Sequence, residues 1–502
     1  MNFRPVQSPE CPVHRGSIAM SGKAQFLLVA VVFLFLAATA QAQTCVFALT
    51  SVASHGEDVA ANTKLIQHNI DLASQCGGQV IIQSGTFRIG SIFVKSNVTL
   101  RIQKPAALLG SQNIADYPEL PTRVAGLELT WPAALINVYK QTNATITGDG
   151  TIDGDGKIFW DSYWALRKID EPKGLRWASD YDAKRPRLIT VFDSSNVHLG
   201  GGLQLRRSGF WTMHICYSHD VVVDGVTIRN NIDELGKAGR GPSTDGIDID
   251  SSTHIDVSHA DIAVNDDALC LKAGRDSDGL RVNRPTTDVK IHDSIIRDGA
   301  AGITFGSETS GGFRNIEAWN IVAEGHVPVG ILFKSAHTRG GFADDIKLHD
   351  MTFDAVTAVL RITMNWNPSY SYATIPPGLT NYPAYYKTLT TVVPEDKGRA
   401  RVSNVHIWNI KATNTKTAFE VDAYPQVPLE HFKLDHIDIT AATAGHIADA
   451  SDWTFSDVAL HIADKTTIAL SDSRNVTGIE THPGAPPSSD PSKLSFAEQD
   501  KH

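Results

Sequence analysis

Short segments in which polar and apolar residues alternate recur along most of the chain. Between them lie glycine, asparagine and aspartate, which favour turns. The apolar centres of eight such segments are Val197, Val221, Ile255, Val289, Ile316, Ile346, Val405 and Phe432. Self-similarity at a period of roughly 20–50 residues indicates stacked repeats, and hairpin signals are scarce here. The pattern predicts an all-β fold, a right-handed parallel β-helix.

A second strand can be aligned in each repeat. Its apolar pairs are predicted to point inward: Met213/Ile215, Ile247/Ile249, Leu269/Leu271, Ile303/Phe305 and Ile331/Phe333. Because successive side chains of a strand point to opposite faces, the residues between them are expected in two exposed columns. The columns are His214, Asp248, Cys270, Thr304 and Leu332, and then Cys216, Asp250, Lys272, Gly306 and Lys334. In this register Asp245 and Asp267 occupy equivalent positions on adjacent coils, with Asp266 beside them.

Two further segments stand out from the strand repeats. The helical spacing of apolar residues between Leu65 and Leu72, followed by Gly77-Gly78, predicts a short helix that caps the N-terminal end of the β-helix. The long interval before Val405 contains an insertion rich in tryptophan and tyrosine. Its rings are expected either to form a wall at one end of a sugar-binding cleft or only to pack the insertion against the coils.

The N-terminus resembles an export signal. An apolar run over residues 26–38 is short for a membrane span, follows Lys23 and precedes Ala40-Gln41-Ala42. We therefore expect a signal peptide within residues 1–42, with Met20 as the true start, and a secreted protein, extracellular or periplasmic. An uncleaved anchor is the alternative.

Two domain boundaries follow from these patterns. Residues 43–479 are predicted to form the β-helix domain, and the polar residues 480–502 a disordered tail. We expect a monomer that has no membrane contact after signal cleavage.

Composition and charge restrict the partners. The chain has 42% hydrophobic residues and 39 glycines, as expected for a globular protein with many turns, and its net charge of −10 argues against nucleic acid as a partner. Cys45 and Cys76 are the preferred disulfide pair in an oxidising compartment. Cys216 and Cys270 are equally compatible with isolated buried thiols, and no cysteine and histidine spacing resembles a zinc site.

The aligned aspartates point to hydrolytic chemistry. Like charges a few ångströms apart raise the pKa of at least one carboxyl group, which gives a protonated acid beside an ionised base. Glycosidic hydrolysis needs this pair. One coil step plus side-chain reach predicts a carboxyl separation compatible with the roughly 6.5–9.5 Å of inverting enzymes. Aspartates that only cap turns are the alternative.

At these residues the sequence resembles glycoside hydrolase family 28, the polygalacturonase family, whose fold is a pectin lyase-like solenoid. The motifs that carry the resemblance are Ser243-Thr244-Asp245, Asp266-Asp267, GITFGSETSGG and GILFKS. The resemblance implies that Asp266 is the general acid and that Asp245 and Asp267 position and deprotonate water. It also implies inversion, a pectic polysaccharide substrate, and no metal or other cofactor.

Two departures from the family pattern affect residues that are expected to bind the sugar. Gly299-Ala300-Ala301 stands where the family has Gly-His-Gly, and Leu332-Phe333-Lys334 where it has Arg-Ile-Lys. This position therefore lacks the guanidinium that would bind a galacturonate carboxylate in a bidentate manner. Other segments are closer to bacterial members that include rhamnogalacturonan hydrolases, so a rhamnogalacturonan backbone is an alternative substrate.

Five residues are candidates for substrate binding. Lys334 could pair with a uronate carboxylate, His214 could replace the missing histidine, and Arg361 could supply the missing guanidinium. Glu308 and Trp366 complete the set.

Two other functions remain open at this stage. A pectate lyase would need calcium and an arginine base. A noncatalytic glycan-binding β-helix would use the aspartates only to cap turns.

Overall fold

The computed structural model describes residues 45–231 and 241–485. The predicted signal peptide over residues 1–42, the start at Met20 and most of the predicted tail lie outside these residues. Within the described parts of the chain, no helix is long and apolar enough to cross a membrane.

The chain winds into a parallel β-helix in which 31 strands stack coil on coil. The coils are right-handed, as crossovers between parallel strands almost always are. The strands stack into three sheets, here called the site sheet, the second sheet and the third sheet. The fold class predicted from the sequence is confirmed.

The site sheet takes one strand, or part of a long strand, from each coil. In stacking order its short strands are Ile92–Phe93, Ile136–Tyr139, Ile189–Phe192, Met213–Cys216, Ile247–Asp250, Leu269–Lys272, Ile303–Phe305, Val329–Lys334, Ala358–Thr363, Ile468–Ser471 and Thr481–Pro483. The C-terminal parts of Arg401–Asp422 and Leu429–Ala448 lie between Ala358–Thr363 and Ile468–Ser471. The last strand extends beyond the predicted domain boundary at residue 479.

The other two sheets complete each coil. Strands of the second sheet alone are Val46–Leu49, Gln79–Ile82, Thr99–Ile102, Thr142–Gly148, Ser195–Gly200, His219–Asp224, Thr253–Ser258 and Arg474–Thr477. Strands of the third sheet alone are Thr86–Ile89, Ala107–Gly110, Thr151–Asp153, Gln204–Arg206, Thr227–Arg229 and Asp261–Ala263. Long strands run through more than one sheet: Thr286–Asp298, Phe313–His326, Phe342–Asp354, Arg401–Asp422, Leu429–Ala448 and Ala450–Ile462.

The repeat register read from the sequence matches the strand pairing. Val197 pairs with Val221, Val221 with Ile255, and the series continues unbroken to Val405 with Phe432. All five inward pairs predicted for the site sheet are buried. Each coil therefore buries its apolar side chains against the coils above and below it.

Stacked asparagines explain some of the polar residues at the start of the second-sheet strands. Asn97, Asn143 and Asn196 occupy equivalent positions on successive coils, with φ values of 63°, 57° and 51°, a conformation that asparagine tolerates better than most residues. The Asn143 amide donates to Asn97 at 3.0 Å, and that of Asn196 donates to Asn143 at 2.6 Å. These asparagines thus stabilise each coil through its neighbours.

The N-terminal end is closed as predicted. The helix Val59–Ser74 buries Ile66, Ile70 and Ala73 against the first coils, and the Asp58 carboxylate accepts a hydrogen bond at its first turn. A disulfide joins Cys45 to Cys76, which confirms the predicted pair. Cys216 and Cys270 are buried free thiols.

Three segments between coils leave the β-helix and pack together beside the site sheet. We call residues 119–132, 157–182 and 366–390 the cap. They include the antiparallel hairpin Glu119–Val124 and Leu127–Pro132 and the helices Lys157–Asp170, Ser179–Asp182, Pro368–Ser371 and Ala384–Leu389. Short 3-10 helices occur in the cap at Glu171–Lys173 and Arg176–Ala178 and outside it at Ser51–Ala53 and Ile114–Asp116. The helices Asp276–Val282 and Glu395–Gly398 also lie outside the cap.

Candidate active site

Three aspartates meet at the entrance of two neighbouring strands of the site sheet. Ile247 pairs with Leu269, so Asp245 and Asp267, each two residues before its strand, lie on equivalent positions of adjacent coils. The Gly246 amide donates to the Asp267 carbonyl at 2.8 Å. The structure thus brings Asp245, Asp266 and Asp267 together, as the register predicts.

The three carboxylates have closely spaced oxygens. One oxygen from each lies within 4.8 Å of the others. Adjacent strands are only about 4.8 Å apart, and two of the aspartates are consecutive in the chain. The distance between adjacent coils therefore accounts for the close spacing of these oxygens.

Two lysines compensate this charge. The Lys334 ammonium donates to both oxygens of Asp267, at 3.0 and 2.9 Å. The Lys272 ammonium lies 3.3 Å from Asp245, 3.4 Å from Asp248 and 3.7 Å from Asp267. The two ammonium groups offset negative charge that a divalent cation would otherwise neutralise. This arrangement disfavours the calcium site of the lyase alternative.

The consecutive aspartates have opposite electrostatic environments. Burial and the neighbouring Asp267 carboxylate raise the pKa of Asp266 to about 6. Burial also acts to raise the pKa of Asp267, but the ammonium groups of Lys334 and Lys272 outweigh it and hold that pKa below the usual range. Asp266 is partly exposed and Asp267 is buried. The pair can therefore offer a protonated acid next to an ionised base.

Asp245 interacts with a fourth carboxyl group, that of Asp248. Burial and Asp248 raise the pKa of Asp245 well above its usual value, and burial raises that of Asp248 to about 7 despite the nearby Lys272. Sequence reasoning placed Asp248 and Lys272 in outward columns without giving either a role. Asp248 shares a column with His214, and Lys272 shares one with Lys334. This shared position could have identified both as candidate site residues.

A cavity lies over these groups. It is lined from the β-helix by Phe210, Trp211, Ser243, Asp245, Asp266, Asp267, Lys272, Ser307, Glu308 and Lys334, and from the cap by Ala125, Arg176, Asp180, Trp366 and Tyr370. Three of the five predicted binding residues are in this set. Sequence reasoning missed Arg176, Asp180 and Ala125, because no local motif indicates which distant segment will cover the sheet.

Glu308 and Trp366 contact the charged groups of the cavity. Glu308 accepts a hydrogen bond from the Tyr370 hydroxyl at 3.2 Å and lies 3.5 Å from the Lys272 ammonium. The Lys334 ammonium lies 4.5 Å from the centre of the Trp366 ring. Lys334 is therefore held by Asp267 and Trp366 together.

The predicted exposure of the two outward columns is wrong. His214, Asp248, Cys270, Thr304 and Leu332 are buried, as are Cys216, Asp250, Lys272 and Lys334. These side chains do point away from the core of the β-helix, but the loops above the sheet and the cap cover them. Alternation along a strand determines the face on which a residue lies, not whether another segment packs on that face.

His214 and Arg361 lie elsewhere than the sequence suggested. His214 is fully buried beside Asp250 and Trp211, and burial together with the Arg187 guanidinium lowers its pKa to about 4. Arg361 forms an ion pair with Glu420 at 2.6 Å. Neither is among the described residues that line the cavity, so the structure places no substitute for the missing histidine or arginine at these positions.

One altered motif position is surrounded by hydrocarbon. Leu332, which stands where the family pattern has arginine, packs in a small buried apolar cluster with Ala301 and Val329. Ala300, which stands where the pattern has histidine, is half-buried.

The fold and the site together define a glycoside hydrolase. The sequence model of glycosyl hydrolases family 28 matches residues 107–380, which is more than half of the chain, and the chain belongs to this family.

Relatives of the chain include a probable polygalacturonase from Vitis vinifera, 27% identical and covering 80% of this chain and 75% of the relative. An exo-poly-alpha-D-galacturonosidase from Dickeya chrysanthemi is 23% identical over 82% of this chain and 70% of its own length. Among solved structures, the family 28 exopolygalacturonase of Yersinia enterocolitica superposes with a TM-score of 0.68 at 21% identity, covering 88% of this chain and 79% of that chain. This last similarity supports the fold.

Proposed function

We propose that this protein hydrolyses α-glycosidic bonds in the galacturonan-type backbone of pectin, by a single displacement that inverts the anomeric centre. Membership of family 28 supports this proposal, as do the named activities of the relatives from Vitis vinifera and Dickeya chrysanthemi. The observation that carries it is the pairing of Asp266, whose pKa is raised to about 6, with Asp267, whose pKa is lowered, in one cavity.

In the proposed reaction Asp266 donates its proton to the oxygen of the departing sugar as the glycosidic carbon–oxygen bond breaks. Asp267 accepts a proton from water while the water oxygen bonds to the anomeric carbon. Asp245 positions that water. The bonds and protons of this reaction balance without a metal or other cofactor.

Substitution of the proposed acid tests the mechanism. Asp266→Asn is expected to lower kcat by about 10²–10⁴-fold, the usual contribution of general acid catalysis, with the melting temperature unchanged. The matched control is Asp220→Asn, since Asp220 is exposed on the strand His219–Asp224 and has a φ of 55°, which asparagine tolerates. Full activity in Asp266→Asn would exclude the proposed role and support a noncatalytic β-helix.

The stereochemistry needs its own measurement. Retaining enzymes have carboxyl groups about 5–5.5 Å apart, and inverting enzymes about 6.5–9.5 Å. Proton NMR of the first product should show the inverted anomer, because the proposed reaction forms no covalent intermediate. A product that retains its configuration would instead assign an aspartate as the nucleophile.

A rhamnogalacturonan hydrolase is the second candidate, favoured by the charges in the cavity. Lys334 and Lys272 are paired with aspartates, Arg176 lies 3.1 Å from Asp180, and Leu332 is apolar. No cation of the described cavity wall is therefore dedicated to a uronate carboxylate. Product analysis on polygalacturonate and rhamnogalacturonan in parallel distinguishes the two, since release from the second polymer alone would establish this candidate.

We further propose that the protein is exported. The apolar run over residues 26–38, followed by Ala40-Gln41-Ala42, supports cleavage before Gln43. N-terminal sequencing of the protein recovered outside the cytoplasm should begin at Gln43. Recovery of an intact N-terminus in the membrane fraction would indicate an anchor.

A further inference from the structure

The cap and the β-helix enclose the carboxylates from opposite sides. Exposed fractions of the key side chains are small: 2% for Asp245, 1% for Asp267, 3% for Lys272 and 4% for Lys334. Of the three aspartates only Asp266 is partly exposed. In an open groove that accepts a long polymer, side chains along the groove would be accessible to solvent. Among the described residues, this site has the form of a covered pocket.

The three cap segments form one packed unit. Val124 and Trp131 of the hairpin, Trp177 and Tyr181 of the helical segment, and Tyr386 and Leu389 of the insertion share a single buried apolar cluster. Hydroxyl groups of Tyr385 and Tyr386 donate to Asp182. Displacing one segment would thus expose apolar surface of the other two.

Arg275 attaches this unit to the β-helix. Its backbone amide donates to the Gly126 carbonyl at 3.0 Å, and its guanidinium donates to the Tyr181 hydroxyl at 3.1 Å and the Tyr370 carbonyl at 2.7 Å. One buried residue therefore contacts all three cap segments. The Tyr370 hydroxyl adds a hydrogen bond to Glu308 in the cavity wall.

We propose that the cap makes the site accessible only to the end of a polysaccharide chain, so that the protein removes short products from a chain terminus and does not cut internal bonds. An internal bond reaches a catalytic pair only if the polymer can continue on both sides of it. Trp366, Tyr370 and Arg176 line the cavity from the cap, and in this proposal they end the path of the chain on that side. This inference rests on the proposed function and names the mode of action at the same site.

Time-resolved product analysis of the full chain on polygalacturonate and rhamnogalacturonan tests the inference. We expect mono- or disaccharide from the first time point, with solution viscosity falling late relative to the release of reducing ends. Early loss of viscosity with a ladder of intermediate oligomers would overturn it. Absence of product from both polymers would contradict the proposed function instead, so the two failures are distinguishable.

Blocked substrates provide a second measurement that needs no variant. Oligosaccharides can be modified at the reducing end by reductive amination, or at the other end as a 4,5-unsaturated uronate. The inference predicts that one of these two blocks abolishes the initial release of product. If hydrolysis proceeds at the unmodified rate with both blocks, the polymer must be able to pass through the site, and chain-end action is excluded.

Discussion

At the scale of single residues, two neighbouring aspartates acquire different proton affinities from their surroundings. Asp267 faces two ammonium groups, while Asp266 faces the cavity and the Asp267 carboxylate. The motif in the sequence predicts both residues and their proximity. It could not predict the two lysines as counter-ions. Lys334 reaches Asp267 from two coils further along, and Lys272, on the same coil as Asp267, also contacts Asp245 and Asp248 of the neighbouring coil.

This environment predicts how activity depends on pH. Asp266 must be protonated to act as an acid, so kcat/KM should fall as pH rises through about 6, the raised pKa of Asp266. Asp267 must be ionised, and its lowered pKa should keep the acidic limb of the profile below the usual aspartate value of about 3.9. Initial rates across this range, with Asp220→Asn measured alongside, check the profile. Constant activity well above pH 6 would contradict the assignment of Asp266.

Lys272 offers a second prediction at this scale. Lys272→Met removes the cation shared by Asp245, Asp248 and Asp267. The remaining carboxylates should take up protons more readily, which moves the acidic limb of kcat/KM to higher pH. Removing one partner of a buried ion pair also costs about 3–5 kcal/mol of unfolding free energy.

The two effects of Lys272→Met can be measured separately. The pH profile reports the proton affinity of the carboxylates, and urea unfolding reports stability. Lys290→Met is the control, since Lys290 is exposed on a strand of the second sheet. An acidic limb that stays in place would show that Lys272 does not set the ionisation of Asp267.

At the scale of elements, the sequence predicted the coils of the β-helix but not the cap that covers the site sheet. Each coil repeats a short local pattern, so the pairing of Val197 through Phe432 could be derived residue by residue. The cap depends on contacts between segments far apart in the chain, such as Tyr385 with Asp182. For the same reason the predicted exposure of His214 and Lys334 was wrong.

The turn of the cap hairpin gives a prediction for an element. Gly126 has a φ of +82°, and a Cβ atom there would lie 2.5 Å from the Cβ of Arg275. Gly126→Ala should therefore push the hairpin away from Arg275 and move Ala125 in the cavity wall. We expect kcat/KM to fall by about 10²-fold, the effect of misplacing a site by an ångström.

Gly174→Ala is the matched control for backbone strain. Gly174 also has a positive φ, +75°, but a Cβ atom there would have no neighbour within 4 Å. Both variants should lose some thermal stability, because alanine is strained in this conformation. Equal activity in the two variants would mean that hairpin docking does not shape the site.

At the scale of the whole molecule, the protein is a stack in which each coil is stabilised only by its neighbours, so its ends require protection. The helix Val59–Ser74 covers the first coils, and the disulfide between Cys45 and Cys76 holds the first strand to the end of that helix. The candidate site lies several coils further along. A change that destabilises this end of the stack should therefore leave the activity of the site unchanged.

The double variant Cys45→Ser/Cys76→Ser tests this separation. The bridge spans 31 residues, for which chain entropy predicts a loss of about 3–4 kcal/mol of unfolding free energy. Urea unfolding should show the loss, while kcat/KM at 25 °C stays at the wild-type value. Reductant should shift the wild-type curve toward that of the variant and leave the variant unchanged. A matching loss of activity under folded conditions would mean that loosening the first coil is transmitted along the stack to Asp245 and Asp267, and that the coils do not act independently.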